Sequence, residues 1–221
     1  MSGSALVIFS GGQDSTTCLY WALKKYDHVQ AITFDYRQRH RTELECAQRI
    51  CERLDIPQKV VNIDFLSTFH KNALTSDDVE MNLDGGLNNL PSTFVPGRNA
   101  LFFTIGAALA VSRGIDTLVS GVCQTDYSGY PDCREDFVRA QEKTLSLAMG
   151  SPIRIEAPLM NLTKAETFRL AADLGELKSV VEDSHTCYEG DRTQLHAWGY
   201  GCGKCPACVL RRRGFEEFLN A

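Results

Sequence analysis

No stretch constrains this chain more than Ala5–Thr16, which reads ALVIFSGGQDST. The apolar run from Ala5 to Phe9 suits a strand buried on both faces of a parallel sheet. Ser10-Gly11-Gly12 ends the run, and helix-compatible residues resume at Gln13. Two glycines let the backbone turn sharply and approach a ligand that a Cβ would hold off. A helix opening at Asp14-Ser15-Thr16 points its unpaired N–H groups back over the strand's carboxyl end, which makes an anion site. The order strand, glycine turn, hydroxyls, helix predicts phosphate binding by Ser10, Gly11, Gly12, Gln13, Asp14, Ser15 and Thr16. A strand–turn–helix with a good N-cap and no ligand is the plainer alternative.

No Gly-Lys-Ser/Thr follows, so this is not a Walker loop. The segment resembles the SGGxDS pyrophosphate loop of the ATP pyrophosphatase superfamily. The resemblance implies ATP as co-substrate, attack on its α-phosphate, adenylation of a substrate oxygen and release of pyrophosphate.

The remaining pattern predicts how the loop is framed. Val29–Phe34 and Lys59–Ile63 read as strands, with a helix between them carrying Leu44, Ala47, Cys51 and Leu54 inward. Residues 64–92 read as a long surface connection with a short helix near 65–73. An apolar helix follows to about Arg113, with Arg98 and Asn99 presented at its start by a Pro-Gly turn. Asp116–Gly121 is a fourth strand and Ile153–Ala157 a fifth. The helix between them, Cys133–Met149, is expected to turn Phe137, Ala140, Thr144 and Leu147 inward. Alternating strands and helices predict an α/β fold, a Rossmann-like doubly wound parallel sheet over residues 1–183, with a small C-terminal zinc-binding helical module over 184–221. Ligands of such sheets sit at the strands' carboxyl ends, where strand order reverses.

Two segments carry chemistry besides the loop. VCQTDYSGYPDCR, residues 122–134, sets aromatic faces and carboxylates between a strand end and a helix. That composition suits a planar, nitrogen-rich ring: Tyr127 or Tyr130 to stack, Asp126 or Asp132 to accept N–H bonds. A proline-gated turn with Asp132 as helix cap fits equally well. In NLTKAET, Thr163 and Glu166 have capping-box spacing, and Lys164 sits in the first turn, where a cation opposes the helix dipole. A lysine reaching toward phosphates explains that conflict; a solvated lysine is the other reading.

Cys202-Gly-Lys-Cys205-Pro-Ala-Cys208 places three thiols at successive short spacings, with Cys187 upstream. Four thiolates make a closed, structural tetrahedral zinc site, with an iron–sulfur cluster as the competing reading and His185 or His196 as alternatives to Cys187. The other cysteines read as core thiols. Net charge is −5 with Arg211-Arg212-Arg213 as the sole basic cluster, which disfavours a nucleic-acid partner. No secretion signal or membrane-length apolar run is read from the chain, so a cytoplasmic protein is expected.

FSGGQDSTTCL, TFDYRQRH, TFVPGRN, DYSGYPDCR, PLM with KAET, and the cysteine tail together resemble the 7-cyano-7-deazaguanine synthase family of the queuosine pathway, from Leu6 to about Leu219. The resemblance implies conversion of 7-carboxy-7-deazaguanine and ammonia into the nitrile by way of an amide, with ATP and Mg²⁺, one Zn²⁺ and a homodimer. The residues expected to work are Asp14, Ser15 and Lys164 at the phosphates, Phe94, Arg98, Tyr127, Tyr130, Asp132 and Arg134 at the ring, and Cys187, Cys202, Cys205 and Cys208 at the metal. Three departures stand out: Arg37 where the family usually has Gly, placing bulk and charge beside the ligand edge; Gln124 for Glu; and an insertion at Glu189–Tyr200. A tRNA thiolase on the same loop, or a zinc-stapled nucleotide-binding module without turnover, are the other functional classes.

Overall fold

The computed structural model describes residues 3–38, 40–69, 72–75, 79, 90–125 and 129–221. Five parallel strands form one sheet in the order β3-β2-β1-β4-β5: β1 Ser4–Ile8, β2 His28–Asp35, β3 Gln58–Asn62, β4 Thr117–Val119 and β5 Arg154–Glu156. Ala5, Leu6 and Val7 of β1 have no exposed surface, as the apolar run requires of a central strand. Successive residues serve opposite faces. Leu6, Ile32, Phe34, Leu118 and Ile155 pack under α4 (Arg98–Ser112) and α5 (Glu135–Met149). Ala5, Val7, Phe9, Ala31 and Val119 pack under α1 (Gln13–Lys25) and α2 (Thr42–Arg53). The chain reverses its direction across the sheet between β1 and β4, so their carboxyl ends open the crevice in which such folds bind ligands.

The expected inward face of α5 holds at Phe137, which packs half-buried against the core beside Phe103, and is corrected at the other three positions. Val138 and Leu145 are its buried residues, while Ala140 and Thr144 are exposed and Leu147 is 75% exposed. The helix is rotated because Val138 and Leu145, seven residues apart, reach the sheet beside Ile153 and Ile155. The short helix after β3 is also curtailed, to α3 at Leu66–Phe69.

The C-terminal half of the chain closes the crevice. α6 (Lys164–Asp173) starts with the Thr163–Glu166 capping box, both hydrogen bonds present. α7 (Leu177–Asp183) follows, then a two-stranded hairpin, β6 Leu195–His196 with β7 Gly199–Tyr200, and α8 (Pro206–Leu219), opened by a proline in its first turn. Phe168 of α6 and Val181 of α7 share one buried cluster with Cys187, Trp198, Cys205, Cys208 and Phe215. The tail therefore packs onto α6 and α7 through a common core.

Candidate active site and metal centre

Gly11 shows why the loop needs its glycine. Its φ is +88°, and an added Cβ would stand 2.3 Å from the Glu43 carbonyl oxygen and 2.6 Å from the Ala47 nitrogen. Helix α2 thus lies directly on the loop. Within the loop the Ser15 hydroxyl donates to the Gly12 carbonyl at 3.1 Å, and the Gly12 N–H donates to Ser10 Oγ at 3.2 Å. The Ser10 hydroxyl donates to Glu43 Oε1 at 2.8 Å. Across the loop, Lys164 Nζ stands 2.8 and 3.1 Å from the two Asp14 carboxylate oxygens. The helix-start lysine and the loop aspartate, 150 residues apart, are brought together.

One cavity of about 330 Å³ runs from this loop to the tail. Ser10, Gly12, Gln13, Asp14, Ser15 and Lys164 line one end. Tyr36, Arg98, Asn99, Phe102 and Tyr130 line another, and His185–Tyr188 with Arg211 line the side given by the tail. Several lining side chains hold buried polar atoms with no hydrogen-bond partner among the described residues: Gln13 Nε2, His40 Nε2, Arg98 Nε, both ring nitrogens of His185 and Arg211 Nε. Buried polar atoms cost about 1–3 kcal/mol each when unpaired, so their concentration around one cavity marks a polar ligand site.

At the aromatic end Phe34 and Phe102 stack at 4.2 Å, and the Arg98 guanidinium lies 6.0 Å from the ring centres of both Tyr36 and Phe102. Burial opposes the charge of Arg98, and the neighbouring Tyr36, Tyr130 and Asp132 outweigh it, so the guanidinium stays protonated. Tyr130 shares a 2.5 Å hydrogen bond with Thr93 and packs against Phe94 at 5.5 Å. Phe94 stands behind Tyr130 rather than on the cavity wall. Asp132 also stands behind the wall. Its Oδ2 accepts the Asn99 backbone N–H at 3.1 Å, and its carbonyl accepts the Asn99 amide, so it caps α4 across the fold rather than its own helix. Arg134 is exposed and lies off the cavity, Tyr127 lies outside the described residues, and Thr16 is buried in α1 away from the cavity, with its N–H donated to Gly12.

The expectation for Arg37 is corrected. Its φ of +57° is the left-handed conformation that favours glycine, and its side chain is 73% exposed and turned to Asp64 at 3.5 Å. It adds no bulk to the cavity. Gln124 accepts the Glu135 N–H at the start of α5 and donates to Asn161.

The four expected metal ligands converge. The sulfurs of Cys187, Cys202, Cys205 and Cys208 all lie within 4.8 Å of one another, with Cys205 to Cys187 at 3.9 Å and Cys202 to Cys208 at 4.0 Å. Tetrahedral bonds of about 2.3 Å put sulfurs about 3.8 Å apart, so the set fits one ion. Hydrogen bonds from the Cys205 and Cys208 thiols pull the Cys187 pKa down, and Cys208 is pushed up in turn. His196 is not among the ligands: its Nε2 is 3.0 Å from the Gly201 oxygen, and its ring stacks on Trp198 at 4.4 Å. Residues 189–200 thus include the hairpin whose Trp198 packs in the core of the cysteine cluster.

Two contributors escaped the sequence reading. Arg211, read there only as part of the sole basic cluster, is 1% exposed and donates to the carbonyls of Val180 and Val181, to Ser184 and to Thr186. It fastens the 184–187 segment, whose His185 N–H donates to the Gly11 carbonyl at 3.0 Å. Glu43 carries no local motif at all; only the packing of α2 on the loop places it in the cavity.

The family description "Queuosine biosynthesis protein QueC" matches residues 4–219. Proteins named 7-cyano-7-deazaguanine synthase from Bordetella pertussis and Wolinella succinogenes are 50% and 49% identical. The first alignment covers 97% of this chain and 92% of the relative, the second 98% and 94%. A 4-thiouridine synthetase solved as an RNA complex with bound ATP is 17% identical over 97% of this chain and 53% of that one, with a TM-score of 0.48.

Proposed function

This chain belongs to the queuosine biosynthesis protein QueC family, and from that premise we propose that it converts 7-carboxy-7-deazaguanine and ammonia to 7-cyano-7-deazaguanine at the expense of ATP. The observation that carries the reading is one continuous cavity joining the Ser10–Ser15 loop to the Tyr36, Arg98, Phe102 and Tyr130 end, with buried donors around it that have no partner among the described residues. The loop takes the triphosphate; Mg²⁺ would neutralise its charge, and Asp14 is the loop carboxylate that would help hold it. The aromatic end takes the deazapurine, which places the ring carboxylate between the two.

The substrate carboxylate attacks the α-phosphorus, and pyrophosphate leaves with the electron pair of the broken P–O bond. Lys164 follows the charge that develops on the departing phosphates, a role worth about 10²–10³-fold for a well-placed donor. Ammonia displaces AMP to give the amide; activation of the amide oxygen by a second ATP and loss of AMP leaves the nitrile. No cysteine nucleophile enters this sequence. Zinc held by the four cysteines would pin the tail that carries His185–Tyr188 and Arg211 against the loop, and no step passes through it. A homodimer is part of the same proposal. No helix among the described residues is long and apolar enough to cross a membrane; the cytoplasmic setting is part of the proposal.

The test is mass spectrometry of 7-carboxy-7-deazaguanine incubated with the protein, ATP and ammonium. Amide and then nitrile should form, with AMP and pyrophosphate as the nucleotide products. ADP and phosphate alone would contradict attack at the α-phosphate.

A further inference from the structure

We infer that Glu43 is the catalytic base that removes protons from the nitrogen in both halves of the reaction, an assignment that rests on the function proposed above. Two successive steps must shed N–H protons. When ammonia adds to the adenylated carboxylate, a C–N bond forms, the C–O bond to AMP breaks with its electron pair leaving on AMP, and one N–H proton must go to a base. When the amide oxygen has been adenylated, two N–H protons are lost in sequence as the C–O bond breaks and the C≡N bond forms. Nothing is oxidised or reduced.

Among the carboxylates lining the cavity, Asp14 has both oxygens engaged by the Lys164 ammonium, at 2.8 and 3.1 Å. Glu43 is differently placed. It stands between the loop and the aromatic end, where the carboxylate carbon is expected. Its Oε1 is fixed by the Ser10 hydroxyl at 2.8 Å and lies so close to the loop that a Cβ on Gly12 would be 2.5 Å from it. Its second oxygen has no hydrogen-bond partner among the described residues. The charged and titratable groups around it are Asp14 on α1, Arg98 on α4, and Tyr36 and Cys46 beside it. Burial pushes its pKa up to about 7; Ser10 and Arg98 pull it down and Asp14 adds to the rise. A base that titrates near working pH both accepts a proton and returns it to water.

The test separates the half-reactions in Glu43→Gln and Glu43→Asp, each first shown to be folded by a thermal shift with ATP. Ammonia-dependent amide and nitrile formation should fall about 100-fold or more in Glu43→Gln, while substrate-dependent pyrophosphate release falls far less. Hydroxylamine, whose adduct carries a more acidic N–H than the ammonia adduct and so depends less on a base, should recover part of the lost rate as the hydroxamate, and Glu43→Asp part of it. The wild-type amination rate should rise with pH through a limb near neutrality that Glu43→Gln lacks. Equal loss of pyrophosphate release would assign Glu43 to the phosphates and overturn the inference, as would undiminished amination. Absence of nitrile with the wild-type protein would instead sink the functional reading itself.

Discussion

Lys164 Nζ and the Asp14 carboxylate meet at 2.8 Å, joining the first turn of α6 to the first turn of α1. A lysine at a helix start is unfavourable by about 0.3–1 kcal/mol on its own, and Asp14 offsets that cost. The stem of Lys164 runs along Gly214 of α8, where a Cβ would stand 2.5 Å from Lys164 Cγ. Lys164→Met, which keeps the stem, should lower kcat about 10²–10³-fold. Gly214→Ala should lower it about tenfold with metal content intact, because it displaces the ammonium without removing it. Single-turnover pyrophosphate release measures both; unchanged release in Lys164→Met would remove the lysine from catalysis.

Asp132 holds the start of α4 by accepting both the Asn99 backbone N–H and its side-chain amide. Asp132→Ala uncaps α4 and should cost about 1–3 kcal/mol in urea unfolding, whereas Asp132→Asn, which can still accept the Asn99 N–H, should cost much less. Because Asn99 lines the aromatic end, KM for the ring substrate should rise more than KM for ATP in the alanine variant. A larger effect on ATP would place Asp132 elsewhere in the mechanism.

The cysteine cluster should bind about one zinc per chain, without the visible absorption of an iron–sulfur centre. Cys205→Ser or prolonged chelation should lower Tm first and activity as a consequence. Trp198 reports the event directly, since it is buried in the same cluster and its emission should shift to the red. Full stability of metal-free protein would deny the ion its structural role.

Arg37→Gly should be nearly neutral. It relieves a left-handed backbone that costs a side chain about 1–2 kcal/mol, against the unfolded-state freedom that glycine adds and an exposed pair to Asp64 of little worth. Activity should stay within about twofold, because the side chain lies off the cavity. A large change in substrate preference would show that Arg37 reaches the ligand after all.

Glu43 predicts a pH signature of stability. Its folded pKa is raised to about 7 from the ordinary glutamate range. The contribution of the protonated carboxyl is therefore fully present below that ordinary range and is lost as pH rises toward 7. The Tm of Glu43→Gln relative to wild type should climb between pH 5 and pH 8. A difference that is flat with pH would mean the carboxyl titrates normally.

What the sequence determined by itself was local or periodic. The β1 run, the glycine turn and the Thr163–Glu166 box encode their conformations in adjacent residues, so strand, loop and capped helix were legible without packing. The cysteine tail was legible because ligand spacing leaves few geometries open. Tertiary structure decided the rest. Which face of α5 turns inward depends on where the sheet lies, and two apolar stripes competed on that helix. Asp132 could serve a ring ligand or cap the helix after it until α4 was placed beside it. Arg211 reads as surface charge until the carbonyls ending α7 surround it, and Glu43 is an ordinary helix glutamate until α2 settles on Gly11. Local encoding reaches only as far as a turn or a helix, and the cavity is made by segments more than a hundred residues apart.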